Sequence, residues 1–141
     1  MLHVGLVAAA AFTWLGMVLA ISFLEAPLKF RAPGVTLRLG LGIGRLVFAV
    51  LNRVEVVLLL VVAGGLVIAG TRPALVVGPA VLLAVLLAAQ LGLVRPVLNR
   101  RSDRVLAGEE VPRSRAHVWY IVLEAVKVLA LVLLGVSALV A

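Results

Sequence analysis

Four long apolar runs constrain this chain more than any motif does. Residues 4–24 and 73–94 carry no formal charge over 21 and 22 positions, which meets the roughly 20 apolar residues a helix needs to cross bilayer hydrocarbon. Residues 54–70 make a span with Glu55 at its edge, and residues 117–139 make one that contains Glu124 and Lys127. Backbone N–H and C=O groups find no water inside a bilayer, so runs of this length are satisfied there as helices. The expected architecture is all-α: one integral membrane domain over residues 1–141, a four-helix bundle of roughly antiparallel neighbours. With 65% hydrophobic residues and a mean hydropathy of +1.28, a water-soluble domain is excluded. No Lys or Arg precedes the first apolar run and no polar region follows it, so residues 4–24 read as a retained span and not as a removed leader.

The formal charge of +7 sits in two segments expected as loops, about 28–53 and 95–115. They hold eleven of the thirteen Lys and Arg residues, with Arg72 alone in the opposite turn. The positive-inside rule makes that basic face cytoplasmic and puts both termini outside, in a multi-pass membrane protein. Arg31, Arg38, Arg45, Arg100, Arg101 and Arg104 are the expected contacts to anionic lipid headgroups. Nucleic acid is not an expected partner, because no base-stacking aromatics accompany these charges. Residues 36–52 either lie on the membrane surface or extend the second span inward, and Gly40, Gly42 and Gly44 argue against a regular helix there.

Several chemistries are absent from the sequence. There is no cysteine, which removes disulfides, thiolate metal sites and cysteine nucleophiles. Neither a P-loop nor GxSxG, HExxH or EF-hand spacing occurs. His3 and His117 belong on opposite faces and cannot jointly ligate one haem; no cofactor is expected.

What remains is a set of polar groups in apolar surroundings: Glu25, Glu55, Gln90, Glu124 and His117 as candidate ion or proton sites, with Lys127 and Arg53 as their charge partners. His117, Tyr120, Glu124 and Lys127 recur at spacings of three and four, which places them on one helical stripe. Carboxylates held in low dielectric exchange protons or hold cations. The competing reading makes these groups interfacial anchors, with Lys127 snorkelling beside Glu124 and Glu55 beside Arg53. Trp14 reads as packing, Trp119 and Tyr120 as an interfacial belt, and Gly64 and Gly65 as a site of close helix contact. A shift of 69 residues superposes Pro27 on Pro96, Arg31 on Arg100 and Glu55 on Glu124, the pattern of two parallel-repeated helical hairpins.

The run SFLEAPLKF over 22–30, GIGRLVF over 42–48 with Asn52 and Glu55, and HVWYIVLEAVK over 117–127 resemble a family of small bacterial four-helix membrane proteins. That family is similar to the domain shared with the transmembrane-protein-205-like proteins. The resemblance implies a four-helix fold and supplies no activity. His3 ahead of Trp14-Leu15-Gly16 is also similar to the membrane domain of copper-resistance D proteins, which implies metal association through His3 and methionines; Met1 and Met17 are the two methionines present. Two functions are therefore expected: an ion- or proton-coupled carrier or channel working as an oligomer, or a non-catalytic accessory or assembly subunit bound to a partner membrane subunit.

Overall fold

The computed structural model describes residues 2–70 and 73–141. Four helices long and apolar enough to cross a membrane make up nearly all of it: α1 (Leu2–Arg31), α2 (Leu37–Ala69), α3 (Ala74–Leu106) and α4 (Arg115–Val140). The protein is an all-α four-helix bundle. Residues Thr71 and Arg72 in the expected far turn, and Met1, lie outside the described residues.

The segments expected as loops are helical for most of their length, leaving residues 32–36 and 107–114 as the connections at the basic end. Residues 36–52 extend the second span: α2 starts at Leu37, where Thr36 caps it by accepting a hydrogen bond from the Leu39 backbone at 3.1 Å. The glycines that argued against a regular helix have a packing role here. A side chain at Gly40 would collide with the Phe30 ring, and one at Gly44 would come within 2.8 Å of the Lys29 ammonium. These two positions, one turn apart, let the end of α1 lie against α2. α3 closes on Gly108 at φ +93°, with Glu109 N–H bonded to Arg104 O and Gly108 N–H to Val105 O, both at 3.0 Å, the paired bonds of a left-handed helix cap. At 33 residues each, α2 and α3 are ~50 Å long against ~30 Å of hydrocarbon, so the surplus carries the basic ends clear of it.

α1 packs closely on both α2 and α4, and α4 on α3. Their shared core is Val7, Ala11, Trp14, Val18, Val62, Leu83, Leu131 and Leu134, all essentially inaccessible. Leucines and valines such as Leu46, Leu60, Val67, Leu129 and Leu139 point outward, as they must where the surrounding solvent is lipid.

α1 and α3 share a local irregularity. Each widens into a π-helical turn, over Leu19–Glu25 and Gln90–Val94. The fifth-residue hydrogen bonds that define these turns run from Ala26 N–H to Ile21 O and from Arg95 N–H to Gln90 O. Proline follows at once, Pro27 and Pro96. A proline ring presses on the carbonyl four residues earlier, and a widened turn makes room for it. The two bonds are related by the same 69-residue shift that superposes the prolines.

Candidate functional site

Glu55, Gln90, Glu124 and Lys127, which the competing reading makes interfacial anchors, meet instead at the middle of the bundle. Lys127, at the midpoint of α4, is completely buried and donates to Glu55 Oε2 of α2 at 2.6 Å and to Glu124 Oε1 one turn earlier at 2.7 Å. Gln90 of α3 donates to the same Glu124 oxygen at 2.7 Å, and Trp14 Nε1 of α1 to the same Glu55 oxygen at 2.7 Å. Each helix thus contributes to one cluster, and each carboxylate is held by a donor from its hairpin partner before Lys127 joins them. One oxygen of each carboxylate takes two hydrogen bonds; the other, Glu55 Oε1 and Glu124 Oε2, takes none.

Three expectations are corrected here. Lys127 does not snorkel, since its ammonium is 0% exposed and committed to two carboxylates. Arg53 is not the partner of Glu55: two residues apart on a helix point about 200° apart, so Arg53 is exposed while Glu55 faces the core. Trp14 is more than packing, because its indole N–H needs an acceptor when buried and Glu55 supplies it. The signal for Trp14 was available, as an indole in the middle of a span has a donor that lipid cannot satisfy. We expect Trp14→Phe, which keeps the bulk and loses that donor, to lower stability by about 1 kcal/mol, read as the midpoint of unfolding in detergent; an unchanged midpoint would mean the bond contributes nothing.

Glu25 and His117 do not join the cluster. Glu25 is half-buried with its carboxylate 3.7 Å from the Lys29 ammonium. His117 is half-buried beside a cavity of about 590 Å³ that opens among the basic ends of all four helices. Glu124 and Tyr120 also line this cavity, so it runs from the basic end up to the Glu124 edge of the cluster. Tyr120 and Trp119 do not form one belt: Trp119 is 61% exposed and Tyr120 7%. Arg95, not singled out by the sequence, has its guanidinium over the rings of Phe48 and Tyr120 at 4.8 and 4.5 Å.

Among the expected headgroup arginines, Arg31, Arg38 and Arg100 are exposed at the rim. Arg45 is paired with Asp103, Arg104 with Glu109 at 3.2 Å, and Arg101 holds the 107–114 connection through Val111 O and Pro112 O. Among the described residues no three His, Asp or Glu side chains converge in a metal-holding arrangement. His3, on α1, and His117, on α4, stand at opposite ends of the bundle. Compared with family models, curated proteins and solved structures, the chain has no match.

Proposed function

We propose that this protein is a proton-coupled carrier of a bacterial inner membrane, with its basic end in the cytoplasm and the Glu55–Lys127–Glu124 cluster as the coupling site. One observation carries the reading: two carboxylates and one ammonium are buried together, an odd count that leaves one negative charge unmatched. An unmatched charge in low dielectric is costly, and uptake of one proton neutralises it. The two oxygens without partners, Glu55 Oε1 and Glu124 Oε2, accept a proton without breaking any existing bond. Glu124 lines the cavity, so protons exchange with the cytoplasmic side. On the other side lies the apolar core from Val7 to Leu134, which fits a carrier that must change shape to release its proton outward and does not fit a standing channel.

The test is proton flux in sealed proteoliposomes, followed with an enclosed pH dye under an imposed potential. Glu124→Gln is the informative variant, because it removes the unmatched charge and leaves Glu55 and Lys127 as a neutral pair. Wild type should move protons, and the folded variant should do so about 100-fold more slowly. Equal flux from both would remove the cluster from the mechanism. No flux from well-folded wild type would favour the accessory-subunit reading.

A further inference from the structure

Five basic side chains surround the cavity at the basic end: Lys29 of α1, Arg45 of α2, Arg95 and Arg101 of α3, and Arg113 just ahead of α4. Three of them already have acceptors. Lys29 has Glu25, Arg45 has Asp103, and Arg101 has two backbone carbonyls. Arg95 has no carboxylate or carbonyl acceptor: its Nε and one terminal nitrogen are buried without a hydrogen-bond partner, and the rings of Phe48 and Tyr120 hold the cation in place.

Arg95 is not an isolated case. Tyr120, more than nine-tenths buried, has a hydroxyl that meets no acceptor, the neighbouring Arg95 guanidinium being itself a donor, and the Ser22 hydroxyl has no partner. Both residues line the same cavity. Buried polar groups are almost always hydrogen-bonded in native proteins, so three unpartnered donors on residues that line one cavity call for an acceptor at its wall. The surplus of positive charge makes that acceptor an anion. Glu124, which also lines the cavity, adds the opposite requirement when ionised, since its Oε2 accepts from nothing and is then matched by a ligand that also carries a hydrogen. A phosphate group with one retained proton meets both demands, because it accepts through several oxygens and donates through one. Sulfate and phosphodiesters lack that O–H.

We propose that this cavity binds a hydrogenphosphate group, as inorganic phosphate or as the terminal phosphate of a monoester, with Arg95 and Tyr120 as its main donors. The volume of about 590 Å³ is that of a small-molecule site and exceeds what phosphate alone fills. Phe23, Phe30 and Phe48 line the remainder, an apolar surface for whatever bears the phosphate. The same chemistry is offered by a soluble monoester and by the headgroup of phosphatidic acid. This inference does not rest on proton transport, and its test uses no gradient.

Binding of radiolabelled inorganic phosphate to the delipidated protein in detergent is measured by equilibrium dialysis, with sulfate as competitor. Retention of phosphatidic acid against phosphatidylglycerol is measured in parallel by native mass spectrometry. A soluble source gives saturable phosphate binding that sulfate displaces at least tenfold less well than phosphate; a lipid source gives selective retention of phosphatidic acid. Arg95→Gln and Tyr120→Phe should each weaken whichever binding is found by about tenfold. Tyr120→Phe keeps the ring that Arg95 stacks on, so it stays folded if Arg95→Gln does not. Absence of both forms of binding, equal binding of sulfate or phosphatidylglycerol, or unchanged binding by folded Tyr120→Phe would overturn the proposal.

Discussion

Replacing Lys127 with methionine should cost about 3–5 kcal/mol of stability, the toll of breaking a buried ion cluster from one side. The methionine fills much the same volume, so the loss is electrostatic. Without the ammonium, Glu55 keeps only Trp14 and Glu124 keeps only Gln90, and two carboxylates lie in a sealed interior with no cation. The triple variant Glu55→Gln, Glu124→Gln, Lys127→Met should recover most of the loss, because it removes all three charges together. Replacing buried ionic groups by neutral ones of similar size is often neutral or stabilising. Unfolding midpoints of the purified proteins in detergent decide this. A Lys127→Met protein as stable as wild type would show that the cluster is not the electrostatic unit described.

Gly65→Leu should be nearly as damaging, at about 3 kcal/mol, the upper end of the cost of overpacking a close contact. A β-carbon at Gly65 would sit 2.8 Å from Val7 Cγ2 and 3.4 Å from the His3 carbonyl. The first neighbour is a short β-branched side chain and the second is backbone, so neither yields without moving α1 off α2. Its neighbour provides the control. A β-carbon at Gly64 meets nothing within 4 Å, and Gly64→Leu should stay within about 0.5 kcal/mol of wild type. Equal effects at the two positions would mean the helix contact is not where the geometry places it.

The spans and the basic end were legible because hydropathy and charge counts depend on composition along the chain and require no knowledge of packing. Glu55, Gln90, Glu124 and Lys127 were legible as candidates for the same reason, being polar residues in apolar runs. Their depth was not. Reading Glu55 against Arg53 used nearness in sequence, whereas the helix turns those side chains to opposite sides. Reading Lys127 as a snorkelling anchor fixed its surroundings from the nearest expected loop, and that loop proved to be mostly helix, with only residues 107–114 outside it. Arg95 was missed because its role depends on two rings from different helices; for Trp14 the need for an acceptor was legible, but not which acceptor, since it lies 41 residues away. Gly40 was read by its helix propensity, while its effect comes from the Phe30 ring it admits.

The one lysine of the buried cluster also bears on how the chain is made. Glu55 and Lys127 are 72 residues apart, and a ribosome delivers the first long before the second. When the α1–α2 hairpin enters the bilayer, Glu55 has Trp14 for company and no cation; under the 69-residue shift the position matching Lys127 is Leu58. The α3–α4 hairpin, by contrast, arrives with Glu124 and Lys127 already matched. Until α4 is made, the first hairpin therefore has an acid whose one partner is Trp14, and α4 completes it. In an order of synthesis that runs from α1 to α4, the last helix is the one that brings the cation to Glu55.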